Sequence, residues 1–161
     1  MPTRRDGLKL LLATAVLPLA ACGGGAPAGR RAASGSVLDV ARANGARSFV
    51  RALERAGLAD RLAGPGPYTL FAPTDRAFSA AKLPADPAAL AKLLSYHVVP
   101  GDFTAAFLSG VDINYTTLAG SSLNVDGTGA GLLVNGVPVT APDLPAANGV
   151  VHLLGGVLKP R

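Results

Sequence analysis

The chain has 161 residues, 49% of them hydrophobic and 16% charged, with a formal charge of +5, one cysteine and no tryptophan. That is enough length and apolar content for one domain with a real core, and it excludes the disordered and collagen-like classes. The basic excess is mild and no Lys/Arg run interleaves with aromatics, so nucleic acid is not an expected partner, while the lone Cys22 excludes an internal disulfide or a multi-cysteine metal site.

Residues 1–21 read as a signal peptide. A basic start (Arg4, Arg5, Lys9) precedes an apolar run from Leu10 to Ala21, broken by Thr14 and Pro18. The run is too short to span a bilayer as a helix, which identifies it as a secretory segment. Leu19-Ala20-Ala21-Cys22 resembles the lipobox of bacterial lipoproteins. That resemblance implies that Cys22 is lipidated and becomes the mature N-terminus. Thr3-Arg4-Arg5-Asp6-Gly7-Leu8-Lys9 resembles a twin-arginine export signal, with Gly7 where Phe usually stands, so the twin-arginine and general secretory routes both stay open. Residues 22–35 hold the expected lipidated cysteine and a Gly/Ala/Pro-rich linker that includes Arg30-Arg31. A coil of that length has an end-to-end distance on the order of 20 Å. The domain, expected over residues 36–161, is therefore held near its membrane.

Val37 to Ala43 is apolar at helical spacing and is interrupted by Asn44-Gly45. A second helix starts at about Ser48, buries Phe49, Leu53 and Ala56, and stops at Gly57. Arg47, Arg51 and Arg55 recur every four residues and form a basic stripe on it, a solvated face or a contact for an acidic partner or lipid. Gly64-Pro65-Gly66-Pro67 is a turn, and residues 68–71 form a strand. Thr74 caps the next helix, with Asp75 at the positive end of its dipole and Phe78 turned inward. Asp86-Pro87 opens another helix, on which Leu90, Leu93, Leu94 and His97 fall on one core-facing stripe.

Beyond Pro100-Gly101 a short helix is expected over residues 104–108. Short strands follow, at about 113–118, 122–126, 131–134, 137–140 and 149–158, with Asn135-Gly136 as a primed hairpin turn. Early helices and late strands make the fold class α+β with a mainly antiparallel sheet.

Four segments together resemble the fasciclin domain. They are Thr69-Leu70-Phe71-Ala72-Pro73-Thr74-Asp75 with Ala77-Phe78, then Leu93-Leu94-Ser95-Tyr96-His97-Val98-Val99-Pro100-Gly101, then Thr117 to Val125, and last Asn148-Gly149-Val150-Val151-His152 with Val157-Leu158-Lys159-Pro160. One departure is Gly155, where the family often has Asp. The resemblance implies a compact wedge, with β-sandwich-like, mainly antiparallel sheets packed with several short helices. It also implies roles in adhesion and protein or matrix contact, without catalysis. In animal members the Tyr-His region is linked to receptor binding, which would carry over to Tyr96 and His97; the helical spacing instead gives His97 a packing role.

His97 and His152 are the only histidines. If the strand over 149–158 packs beside the helix ending at Tyr96, His97 is placed to hydrogen-bond Thr74 or Asp75 within a buried polar network. Loss of that ring is expected to lower stability by roughly 1–3 kcal/mol. Two histidines without Cys or a carboxylate cluster make a poor metal set, so no metal and no cofactor is expected. Ser95 and His97 lie two residues apart and point to different helix faces, which argues against a Ser–His–Asp hydrolase with Asp75. Gly127-Thr128-Gly129-Ala130-Gly131 lacks the lysine and following helix of a phosphate loop and reads as a hairpin loop.

The sequence therefore points to a monomeric, non-enzymatic binding module of the bacterial envelope, lipid-anchored through Cys22 to the cell membrane or outer membrane. It faces the periplasm or the cell surface, and its partner is an envelope or extracellular protein or glycan. Thr74, Asp75, Tyr96, His97 and His152 are its candidate partner-contact or structural residues. The alternative is a periplasmic domain that binds a small apolar ligand or lipid in a groove between sheet and helices.

Overall fold

The computed structural model describes residues 35–160. The signal peptide, Cys22 and the linker up to Ser34 lie outside the described residues. Ser36 opens α1 (Val37–Ala43) with a capping box: its hydroxyl accepts from the Asp39 amide, and the Asp39 carboxylate accepts from the Ser36 amide. α2 (Arg47–Arg55) buries Phe49, Val50, Ala52 and Leu53. α3 (Ala59–Ala63) buries Leu62 and was not expected, since five residues are too few to show a helical period.

β1 (Tyr68–Pro73) runs into Thr74, whose hydroxyl accepts from the Ala77 amide at 3.3 Å and caps α4 (Asp75–Ala80). Asp86 caps α5 (Pro87–Tyr96) in the same way, accepting from Ala89 at 3.0 Å. β2 (Val98–Pro100) leaves that helix directly, and α6 (Ala105–Leu108) is capped by Thr104. β3 (Asp112–Thr116), β4 (Ser122–Asp126), β5 (Leu133–Val134), β6 (Val137–Ala146) and β7 (Gly149–Leu154) complete the chain. Asn135 and Gly136, both at positive φ, turn β5 into β6. The glycine-rich run at 127–131 joins β4 to β5 and precedes no helix.

The seven strands form one sheet in the order β2-β1-β7-β6-β5-β4-β3. β1 and β7 run parallel, with Phe71 opposite His152, and all the other pairs are antiparallel. The fold is α+β with a mixed, mainly antiparallel sheet. β6 is ten residues long, where a shorter strand was expected, and it pairs with β5 at its start and with β7 beyond. Its prolines do not end it: Pro138 and Pro145 stay in register opposite Leu133 and Val150, and Pro142 falls within the register shift between Ala141 and Leu144. β7 is shorter than expected and stops at Leu154, before Gly155-Gly156.

The middle of the sheet is buried on both faces, which explains the continuous apolar runs of β1 and β7. Leu70, Ala72, Val151 and Leu153 face the helical layer and pack with Phe49, Leu53, Leu62 and Leu94. Phe71 and Leu154 point the other way, into a second core with Tyr96, Leu123, Val125 and Leu158. The space between sheet and helices, where an apolar-ligand groove was a possible reading, is filled by the first of these cores.

Candidate functional site

The Tyr-His motif lies at the C-terminus of α5, where the helix hands over to β2. Tyr96 and His97 both have 0% exposure. The Tyr96 hydroxyl donates to the Ser122 carbonyl at 2.7 Å and accepts from the Asn135 side-chain amide at 2.7 Å. It thereby ties α5 to β4 and to the β5–β6 turn. His97 donates from Nδ1 to the Leu93 carbonyl at 2.9 Å, and its Nε2 accepts from the Leu158 amide at 3.0 Å. The Phe49 ring lies 5.2 Å from the imidazole. Burial pushes His97 down from its ordinary 6.5 to about 4, against the opposing pull of the Leu93 carbonyl.

The expected contact between His97 and Thr74 or Asp75 does not form. Thr74 is occupied as the α4 cap. The Asp75 carboxylate instead accepts from the Ser48 amide at 2.6 Å. α2 has no side-chain cap of its own, so Asp75 caps that helix from a different element. Burial pushes the Asp75 carboxyl up, but the Ser48 hydrogen bonds and Arg47 outweigh it and hold the group below the usual carboxylate value. Ser95 donates to the Ala91 carbonyl at 2.8 Å and takes no part in a pair with His97.

His152 sits on β7, on the side of the sheet away from the helices, with its ring stacked on Phe71 at 5.4 Å. Its Nδ1 accepts from the Asp143 amide at 3.2 Å and its Nε2 donates to the Phe103 carbonyl at 2.8 Å. Burial lowers its pKa, and the Phe103 carbonyl with the charges of Asp143 and Asp102 only partly offsets that. The two histidines therefore occupy separate places, and neither meets Asp75. Among the described residues, no group of three or more His, Cys, Asp or Glu side chains is placed to hold a metal ion.

Asn148, within the last of the family-like segments, joins three parts of the chain. Its Oδ1 accepts from Val37 at the start of α1, and its Nδ2 donates to the carbonyls of Leu62 and Gly64. The neighbouring Gly149, at φ +155, lies so close to the Tyr68 carbonyl that any Cβ would collide with it. At Gly155 the amide donates to the Pro138 carbonyl at 3.0 Å, and a side chain would meet only ordinary contacts with Thr140 and Pro138.

Two surface features remain. Arg47 and Arg51 line a groove of about 550 Å³ between α1 and α2, together with Asp39, Arg42, Ala43 and Glu54. Arg55, also exposed, is not among the groove's lining residues. The other feature is aromatic and went unnoticed in the sequence. Phe107 on α6 is 60% exposed and lies 5.9 Å from Phe103, which in turn lies 4.4 Å from Tyr115 on β3. Ile113, on the same strand as Tyr115, is exposed as well. The only sequence signal for this cluster was an unexplained Phe in a four-residue helix.

The fasciclin domain model matches residues 44–160. Protein sll1483 of Synechocystis is 36% identical over 134 residues, which cover 78% of this chain and 73% of that protein. The pig transforming growth factor-beta-induced protein ig-h3 is 36% identical over 133 residues, 78% of this chain but 19% of that much longer protein. A solved FAS1 domain pair from the insect cell adhesion molecule fasciclin I superimposes with a TM-score of 0.59 at 21% identity, covering 72% of this chain and 46% of the insect chain. The family model spans the Thr74 and Asp86 caps, the Tyr-His turn and Asn148, and this chain belongs to the fasciclin domain family.

Proposed function

We propose that this chain is a non-enzymatic binding module of the bacterial cell envelope, lipid-anchored at Cys22, that makes adhesive or protein contacts. The observation that carries the reading is the exposed Phe107, backed by Phe103 and Tyr115. Aromatic side chains are enriched at the centres of protein interfaces, where they supply large contact area at small entropy cost. The Tyr-His motif offers a partner no such surface, since both side chains are enclosed and both imidazole nitrogens of His97 are bonded to the backbone. The same bonding leaves His97 no free nitrogen for a nucleophile, which supports a non-catalytic role. The insect neighbour, itself a cell adhesion molecule, is in keeping with this reading.

Proximity labelling on intact cells tests it. Phe107→Ser is expected to strip the labelled neighbours while leaving the melting temperature unchanged. An unaltered set of neighbours would sink the aromatic contact. Anchoring is read separately: Cys22→Ser should move the protein from the membrane to the soluble fraction, and retention in the membrane would refute lipidation.

A further inference from the structure

Charge is divided along this chain. Eight basic side chains stand between Arg42 and Lys92, whereas residues 93–158 contain no Lys or Arg and four aspartates. The fold turns that division into two sides. The α1–α2 groove lies on the helical layer, while Phe103 and Tyr115 pack against the core on the other face of the sheet.

Within the groove the acids are already taken. The Asp39 carboxylate is engaged by the Ser36 amide and hydroxyl. Glu54 is paired with Arg42, the one ion pair among the described residues. Arg47 and Arg51 are left exposed and form no direct ion pair, although Arg47 lies close enough to Asp75 to help hold that carboxyl low. Their placement works against the helix that carries them. Arginines four residues apart repel one another, and a cation in the first turn opposes the helix dipole. Asp75 offsets part of this at the start of the helix, but Arg51 has no such counterweight, and a local electrostatic rule broken in this way is a feature expected at functional sites. The chain also enters the domain at the rim of this groove, because Gly35 lies against Asp39, which lines it.

We propose that the α1–α2 groove, through Arg42, Arg47 and Arg51, seats on an anionic phospholipid surface. The contact turns the Phe107 side of the tethered domain away from that membrane. This rests on the reading that Cys22 anchors the chain. Lipid headgroups attract Lys and Arg only within about 8 Å at physiological salt, so the contact needs a tether that holds the groove near the bilayer.

The test uses the mature chain from Cys22 with Cys22→Ser, so that no acyl chain contributes, and flotation with vesicles of phosphatidylcholine alone or mixed with phosphatidylglycerol. Co-flotation with the mixed vesicles only, lost at high salt, is expected. R47Q/R51Q should weaken it about fivefold for each arginine, with a melting temperature no lower than wild type. Binding untouched by R47Q/R51Q overturns the proposal, as does binding abolished only by R30Q/R31Q in the linker. Binding to a soluble acidic polysaccharide but not to vesicles overturns it as well. Failure of the anchor itself would appear instead in cell fractionation of Cys22→Ser, independently of the vesicle result.

Discussion

The C-terminus of α5 and the interior of β7 each bury an imidazole, and they do so with opposite tautomers. His97 carries its proton on Nδ1 and accepts at Nε2 from Leu158, 61 residues away. His152 accepts at Nδ1 from Asp143 and carries its proton on Nε2, toward Phe103. In each case the partners, a carbonyl and an amide, decide which nitrogen holds the proton. Each ring thus works as a neutral bridge between two stretches of backbone. His97 stands in a fully apolar setting beside Phe49, while His152 has Asp143 and Asp102 nearby. Burial without a facing carboxylate makes the first histidine the costlier of the two to charge.

Acid is the strongest way to press on that difference. The folded-state value of His97 is lowered from 6.5 to about 4, so the unfolded chain takes up a proton first as pH falls. Stability is therefore complete above the ordinary histidine value and is lost on the way down to about 4. The loss amounts to about 3 kcal/mol for His97. His152, also lowered, adds to it in the same direction. Asp39 and Asp75 are held below their ordinary 3.8, so their contributions begin to fade at the foot of this window and are lost mainly below it. Urea titrations near neutrality and near pH 4 measure the drop. A flat profile across that interval would contradict the buried neutral imidazole.

Replacing His97 with Ala should lower stability by about 2–3 kcal/mol, because the Leu93 carbonyl and the Leu158 amide lose their partner and a cavity opens beside Phe49. The same variant should lose most of the acid sensitivity, a readout that a generic packing defect would not alter. His152→Ala sharpens the contrast. It should cost about 1–2 kcal/mol, retain the acid drop, and speed hydrogen exchange in β6 and in the Phe103 segment before α6, which that ring clips together. Equal acid profiles for the two variants would erase the distinction.

Much of this scaffold could be read locally, and the reason is physical. Thr74, Asp86 and Asn135-Gly136 act within three or four residues of themselves, so their caps and turn were legible. The helical stripe placed His97 inward correctly, yet its partner arrives from the far end of the domain. Asp75 posed the same problem: a carboxylate opening one helix caps another whose first turn lies 27 residues earlier. β2 was missed because three residues following a helix show no alternation. β6 runs past the expected end at about residue 140, and only the pairing with β7 shows the register shift that carries the strand through Pro142. The aromatic cluster depends on Phe103, in the segment before α6, meeting Tyr115 on β3, a tertiary fact with no period to announce it.

The smallest effect expected is that of Tyr96→Phe, and it isolates one hydroxyl. The ring stays, so packing against the second core is conserved. The Ser122 carbonyl loses a donor and the Asn135 amide loses an acceptor, both only partly buried. Asn135 remains fixed by its Oδ1 bond from the Asn124 amide at 3.0 Å, so the β5–β6 turn keeps its shape. A loss of about 1 kcal/mol follows, seen as a lower urea midpoint with an unchanged slope. Since the hydroxyl is internal, proximity labelling by this variant should match wild type. A variant as stable as wild type that nevertheless lost its neighbours would move the contact surface from Phe107 to the Tyr-His turn, and would mean that α5 opens to meet its partner.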